Sequence, residues 1–152
     1  MSEPDASGLR IALITSSFNE FITKRLHNGA MEALAARGAK PDDITQVWVP
    51  GCFEIPLALA ECAEQGYDAV VCLGAVIRGE TSHFDFVAGE AARGIAKIST
   101  EKRLPVGFGV ITAETTDQAM ERSGGKRGNK GREAAIAALE MVEVVADIRG
   151  KR

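Results

Sequence analysis

The chain has 152 residues, of which 45% are hydrophobic and 26% are charged. This length fits one compact domain, and this composition excludes disordered, collagen-like and coiled-coil proteins. The formal net charge of -3 gives no general attraction to nucleic acid or to anionic lipid, so neither is expected as a partner.

Nothing in the sequence predicts export or membrane insertion. The apolar runs are far shorter than the roughly 18 residues that a membrane span needs. The segment over residues 1–5 is acidic and polar, whereas a secretory signal is basic and then apolar. We therefore expect a cytoplasmic protein without membrane association.

The cysteines and histidines predict no metal site. Cys52, Cys62 and Cys72 are odd in number and form no Cys-x-x-Cys pair, so neither a disulfide framework nor a zinc cage is expected. His27 and His83 have no thiol or carboxylate partners at metal-ligand spacing.

Short β-branched runs alternate with longer segments of helical spacing, a pattern typical of parallel βαβ units. Strands are predicted over residues 9–15, 44–49, 69–77 and 106–111. The last two are continuous apolar runs, which indicates strands covered by helices on both faces. The sequence thus predicts an α/β fold, a three-layer αβα sandwich with a central parallel four-stranded sheet.

Helices are predicted between and after these strands. Apolar residues recur at helical spacing in three segments, over residues 26–34, 55–63 and 87–98. Thr115 and Gln118 form a capping-box pattern that predicts a short fourth helix, and Asn129 is a predicted cap for a long last helix. With no repeat or linker, we expect one domain over residues 1–152, with a flexible segment over residues 1–8 and a basic tail over residues 148–152.

Each predicted strand ends in a loop of unusual composition. The loops cover residues 15–19, 50–54, 78–83 and 112–115. Ligands of such sheets bind in the crevice outside the carboxyl ends of the strands, so parallel strands would bring these loops to one edge.

The loop over residues 79–83, Gly-Glu-Thr-Ser-His, is predicted to open the third helix. Free backbone N–H groups and the helix dipole favour an anion there, and Thr81 adds a hydroxyl donor. The same dipole disfavours imidazolium and leaves His83 available as a base. An ordinary helix start capped by Thr81 or Ser82 explains the pattern as well.

Two aromatic residues, Phe18 and Phe53, follow predicted strands among small polar residues. Either ring could stack on a planar heterocycle, and Phe18 beside Asn19 is the better candidate. Alternatively, the two rings plug the edge of the sheet.

Five basic residues lie between positions 122 and 132, namely Arg122, Lys126, Arg127, Lys130 and Arg132. A solvated loop or an RNA-binding patch would show such a cluster, but no aromatic residue is interleaved for base stacking. A guanidinium such as that of Arg122 can instead hold one phosphate in a fork. The chain contains neither a P-loop nor a complete dinucleotide-binding fingerprint.

Taken together, the loops resemble the 6,7-dimethyl-8-ribityllumazine synthase family, a transferase family of riboflavin biosynthesis. The resemblance spans about residues 9–147, and its most specific block ends just after His83. The blocks that carry it, in the family's order, are residues 17–19, 49–56, 74–85, 105–110, 118–122 and 128–131. The resemblance implies a flavodoxin-like fold.

The resemblance also implies a reaction. The family condenses 5-amino-6-(D-ribitylamino)uracil with 3,4-dihydroxy-2-butanone 4-phosphate, releasing phosphate and water, without metal or organic cofactor. By this resemblance Phe18 would stack on the pyrimidine and His83 would transfer protons. The remaining implied contacts are the ribityl pocket (Cys52, Phe53, Glu54), the uracil backbone contacts (Ala75, Val76, Ile77) and the phosphate site (Glu80, Thr81, Arg122).

The resemblance implies a homo-oligomer in which Phe108 and Lys130 come from the neighbouring subunit. A homopentamer is expected, assembled into an icosahedral 60-mer with riboflavin synthase as a candidate cargo. Cys52 departs from the family, which usually has a smaller alanine or serine there, so the shape of the pocket is open at that point.

Two other classes of protein fit parts of the sequence. A flavodoxin-like FMN-binding module would also place a Ser/Thr loop after its first strand, as residues 15–17 do. A structural shell that holds cargo would keep the oligomer interfaces but would not need Phe18, His83 and Arg122 together.

Overall fold

The computed structural model describes residues 3–80 and 83–151. Its main sheet has four parallel strands in the order β2-β1-β3-β4. These strands are β1 (Ile11–Ser16), β2 (Ile44–Val49), β3 (Ala69–Ile77) and β4 (Val106–Ala113). The α-helices of the described residues are α1 (Glu20–Ala36), α2 (Ile55–Ala63), α3 (Phe84–Lys102), α4 (Thr116–Arg122) and α5 (Lys130–Ile148). A small antiparallel hairpin consists of β5 (Ser123–Gly125) and β6 (Gly128–Asn129).

Alternate residues of the strands face two separate hydrophobic clusters, one on each side of the sheet. Leu13 of β1 packs in the cluster that contains residues of α1, α4 and α5. Its neighbour Ile14 packs in the cluster that contains residues of α2 and α3. Since successive side chains of a strand point to opposite faces, helices cover both faces of the sheet. The three-layer flavodoxin-like fold predicted from the sequence is confirmed.

The two central strands, β1 and β3, are buried at every position. The prediction that helices also cover both faces of the strand over residues 106–111 is wrong at Phe108, which is 49% exposed. Strand β4 lies at the edge of the sheet and pairs only with β3. Among the described residues no second strand pairs with this edge, which also presents an aromatic ring.

The predicted bounds of β2 and β3 are confirmed, and those of β1 and β4 shift by one or two residues. Strand β1 begins only at Ile11 because the N–H of Arg10 donates to a carboxylate oxygen of Asp68 at 2.8 Å. Strand β4 continues to Ala113, which pairs with Ile77 of β3.

Helix α3 begins later than the sequence suggests. A 3₁₀ turn over Arg78–Glu80 follows β3, and the helix starts at Phe84 with His83 as its N-cap residue. The segment over residues 79–83 therefore leads into the helix and is not its first turn.

The two predicted helix caps are confirmed. The side chain of Thr115 accepts a hydrogen bond from the N–H of Gln118 at 3.2 Å. Asn129 accepts from the N–H groups of Gly131 and Arg132 at 2.8 and 3.0 Å. Each cap satisfies backbone donors that the first turn of a helix leaves unpaired.

At the N-terminus, Ala6 is fully buried, and its N–H donates to the carbonyl of Arg37 at 2.8 Å. This contact ties the described part of the segment over residues 1–8 to the end of α1. Within residues 3–80 and 83–151, no helix is long and apolar enough to span a lipid bilayer.

Candidate active site

The loops after β1 and β2 are joined by backbone hydrogen bonds. The N–H of Ser17 donates to the carbonyl of Val49 at 2.7 Å, and that of Phe18 donates to the carbonyl of Pro50 at 3.0 Å. Asn19, with a left-handed φ of 63°, makes a long hydrogen bond of 3.4 Å from its side-chain amide to the carbonyl of Ala75. The ends of β1, β2 and β3 thus meet at one edge, as the parallel sheet predicts.

A cavity of about 180 Å³ lies at this edge, and we call it the phenylalanine cavity. Its lining residues are Phe18, Gly51, Cys52, Phe53, Glu54, Ala75, Val76 and Val87. Phe18 is 52% exposed, so its ring is available to a ligand and is not sealed in the core. Six of the residues predicted to bind substrate therefore line one cavity, and Ile77, which is predicted to contact the uracil through its backbone, is not among the lining residues.

Phe53 is also exposed and does not plug the edge of the sheet. Its ring stacks against the exposed ring of Phe86 on α3, with centroids 6.4 Å apart and an interplanar angle of 16°. This contact connects the β2 loop to α3 at the rim of the phenylalanine cavity.

Cys52 forms a buried part of the cavity wall and lies in a 3₁₀ turn over Cys52–Glu54. Its Sγ lies 3.7 Å from Oγ of Ser16 and 4.0 Å from the carbonyl oxygen of Ala75. Burial raises the pKa of the Cys52 thiol, while its contact with Ser16 acts in the opposite direction. The raised pKa favours the protonated thiol, which packs in the cavity wall and is a weak donor.

His83 lies next to the phenylalanine cavity along α3. The carbonyl of His83 accepts the N–H of Val87, a cavity residue, at 2.9 Å, and the His83 residue is exposed. His83 is therefore one helical turn from the cavity. Of the predicted phosphate ligands, Thr81 lies outside the described residues, and Glu80 is described only as the last residue of its 3₁₀ turn.

A larger cavity of about 660 Å³ lies along the free edge of β4, and we call it the basic cavity. Strand β4, including Phe108, forms one wall. Four cationic residues form the rest: Arg122, Lys126, Arg127 and Lys130. The Arg122 guanidinium donates to the carbonyl of Thr112 at 2.6 Å. The basic cavity brings together three further predicted site residues, Phe108, Arg122 and Lys130.

Arg122 also lines a groove of about 280 Å³ beside the basic cavity. Arg78 and Phe84, which flank the loop over residues 79–83, line the same groove. Sequence reasoning did not single out Arg78 or its partner Glu114. The signal available was positional, since each of these charged residues is the first residue after a strand of the sheet.

One comparison with known proteins bears on this arrangement. The family model of 6,7-dimethyl-8-ribityllumazine synthase matches residues 8–146. The chain belongs to the 6,7-dimethyl-8-ribityllumazine synthase family. The match includes all four strands and both cavities, and it implies lumazine synthase activity, a transferase reaction of riboflavin biosynthesis.

Proposed function

We propose that the chain condenses 5-amino-6-(D-ribitylamino)uracil with 3,4-dihydroxy-2-butanone 4-phosphate to give 6,7-dimethyl-8-ribityllumazine. The amine attacks the ketone, and phosphate and water leave. One observation carries this proposal: a half-exposed phenylalanine lies over a cavity formed by three strand ends, within a match to the lumazine synthase family. Positioning two reactants in this way can contribute roughly 7–11 kcal/mol to lowering a barrier.

In the proposed complex the flat pyrimidine stacks on Phe18, with the backbone of residues 75–77 at its edge. The geometry supports this role because Ala75 and Val76 line the same cavity as Phe18. The ribityl chain lies against Cys52, Phe53 and Glu54, which form the adjoining wall. Asn19 supports the arrangement through its hydrogen bond to the carbonyl of Ala75.

The butanone phosphate is proposed to bind Glu80, Thr81 and Arg122. A guanidinium supplies several donors in a planar fork, which suits a phosphate that carries two charges. His83, one helical turn before the cavity residue Val87, transfers protons during the condensation. A positioned base of this kind contributes roughly 10²–10⁴-fold to the rate.

We further propose that each site is completed by a neighbouring subunit, which contributes Phe108, Lys130 and Arg122. A volume of about 180 Å³ is small for two substrates, since ligand pockets usually measure roughly 300–1,000 Å³. The basic cavity of a second copy supplies the missing cations and a second ring. A pentamer closes such head-to-tail contacts into a ring, and an icosahedral 60-mer is its larger form.

The experiment mixes the two substrates with the purified chain and follows the absorbance and fluorescence of the lumazine. The proposal predicts lumazine formation and release of one phosphate per turnover. A yellow, redox-active protein without synthase activity would favour an FMN-binding module, and an assembled but inactive protein would favour a structural shell.

The His83→Ala variant tests the proton-transfer role in the same assay. We expect turnover to fall by about 10²-fold or more without being abolished, because binding in register survives the loss of the base. Turnover at the wild-type rate would remove His83 from the mechanism.

A further inference from the structure

We propose that Arg78 is a positioning residue that holds the start of α3 against the end of β4 through Phe84 and Glu114. This inference rests on the proposed function, which assigns residues 80, 81 and 83 to the phosphate and to proton transfer.

The contact between Arg78 and Glu114 uses both oxygens of the carboxylate. Nε of Arg78 lies 2.8 Å from Oε2 of Glu114 and 3.1 Å from Oε1. A charged hydrogen bond shared by two oxygens fixes the direction of the guanidinium as well as its distance. Arg78 is the first residue after β3, and Glu114 is the first residue after β4.

Arg78 also contacts the start of α3. Its Cζ lies 4.4 Å from the centroid of the Phe84 ring, within the range of a cation–π contact. Its Nη2 lies 3.6 Å from Oδ1 of Asp85. Phe84 is buried in the hydrophobic cluster beneath α3, and this packing restricts the movement of its ring. Arg78, the first residue after β3, thus contacts the first two residues of α3.

Glu114 is itself held by the first turn of α4. Its N–H donates to Oε1 of Gln118 at 2.8 Å, and the N–H of Gln118 donates to the Thr115 cap. Helix α4 begins two residues after Glu114, so the Arg78–Glu114 pair connects the start of α3 to the start of α4. Loss of either charge would remove this connection.

The exposure of the pair separates a positioning role from a purely structural one. The side chains of Arg78 and Glu114 are 49% and 59% exposed, and ion pairs so exposed contribute little to folding stability. Removing the pair should therefore change phosphate binding much more than it changes the melting temperature.

The experiment compares Arg78→Gln, Glu114→Gln, the double variant and Arg78→Lys with the wild type. Steady-state kinetics give kcat and both KM values, and titration calorimetry with inorganic phosphate gives a Kd that does not depend on turnover. Lys102→Gln and Glu64→Gln are matched controls, because that exposed ion pair, at 2.6 Å, lies at the other end of α3.

We expect Arg78→Gln and Glu114→Gln each to raise the KM for the butanone phosphate and the phosphate Kd by roughly 5- to 30-fold. The double variant should be no worse than either single variant, since all three lose the same contact. The KM for the pyrimidine and the behaviour of both controls should match the wild type. Arg78→Lys should be intermediate, because an ammonium keeps the charge but not the two-oxygen geometry.

If Arg78→Gln weakens phosphate binding and Glu114→Gln does not, Arg78 contacts the phosphate directly and the positioning role is overturned. An equal loss of phosphate affinity in the control variants Lys102→Gln and Glu64→Gln would also overturn the positioning role. A wild-type protein that forms no lumazine would refute the proposed function, and the phosphate titration would still decide the role of Arg78.

Discussion

At the scale of single residues, Arg122 is the cationic side chain proposed to bind the phosphate of the substrate. Its side chain is half-buried, hydrogen-bonded to the end of β4, and surrounded by further cations in the basic cavity. Such surroundings disfavour a bound cation and favour an anion, so this guanidinium is well suited to hold a phosphate.

Replacing Arg122 by lysine should impair the enzyme even though the charge is kept. We expect the KM for the butanone phosphate to rise by about 10-fold, because an ammonium cannot reproduce the planar fork. Steady-state kinetics with varied butanone phosphate check this. Arg132→Lys is the matched control, since Arg132 is exposed and does not line the basic cavity. An unchanged KM for the butanone phosphate in Arg122→Lys would count against binding of the phosphate by the planar guanidinium.

His27 is a second residue with a testable effect, in this case on folding stability, and it lies away from both cavities. It is 9% exposed on α1 and packs against the ring of Trp48, with centroids 5.1 Å apart. Its Nε2 has no hydrogen-bond partner among the described residues. Burial lowers the pKa of His27 from 6.5, and hydrogen bonds with Asn28 and Gln46 oppose this shift only in part.

This lowered pKa predicts a loss of folding stability in mild acid. Because the unfolded chain binds a proton at His27 more readily than the folded chain does, the stability it confers is present above pH 6.5. That stability is lost as the pH falls below this value toward the folded pKa. Thermal melting at several pH values should show a falling Tm for the wild type and a shallower fall for His27→Gln. Parallel curves would contradict this prediction.

The place of Phe18 and Phe53 at the edge of the sheet could be predicted from the sequence, because each follows a predicted strand within a few residues and parallel strands end at one edge. The other substrate contacts of the phenylalanine cavity were predicted only from the resemblance to the family. The role of Arg78 could not be predicted this way. Its partners Glu114 and Phe84 are set by the pairing of β3 with β4 and by the start of α3.

At the scale of elements, α1 and α5 pack at very short range through glycine. A Cβ built on Gly131 would overlap the backbone carbonyl of Leu26 on α1. Backbone cannot move aside as a flexible side chain can, so only glycine fits this position. Asn129, just before α5, also donates from its side-chain amide to the carbonyl of Arg25 at 3.0 Å.

The substitution Gly131→Ala should lower the free energy of unfolding by roughly 3 kcal/mol, because the two helices must separate to admit a methyl group. Gly89→Ala is the control: this exposed glycine of α3 has nothing within 4 Å of a built Cβ. The control should be stabilised by roughly 0.5–1 kcal/mol from helix propensity alone. Chemical denaturation measures the free energy of unfolding of both variants. Equal changes would show that the close approach of α1 and α5 does not require glycine at position 131.

The elements differ in how well their sequence determined them. Strands β2 and β3 have the predicted bounds because turns or glycine follow each apolar run closely. The β5–β6 hairpin was not predicted, because Ser123–Gly125 and Gly128–Asn129 contain no alternating apolar pattern. The N–H of Arg127, which donates to the carbonyl of Glu121 at 2.9 Å, helps to fix this hairpin against α4.

At the scale of the whole molecule, the two cavities of one chain complement each other in composition. The phenylalanine cavity is mainly apolar and aromatic, and the basic cavity is cationic and lies along the free edge of β4. Each contains only part of the predicted site. This division is the physical basis for proposing sites shared between subunits.

Subunit mixing tests this proposal. Phe18→Ala and Arg122→Gln should each be strongly impaired, and their mixture, unfolded and refolded together, should recover up to about one quarter of wild-type activity. That fraction follows because, in a random mixture, about one site in four takes both intact halves from different chains. Activity equal to the mean of the two parent variants would show that each site is built from a single chain.

The sequence alone determined the layered fold and the strand-end loops, because apolar periodicity and local turn chemistry act over neighbouring residues, and the loop blocks carried the resemblance to the family. Only the tertiary structure decided which loops meet and which strands lie at the edges. It placed Phe108 at an open edge and set Arg78 opposite Glu114. These features depend on contacts between residues far apart in the chain, where the pairing of β3 with β4 sets the geometry and local sequence patterns do not.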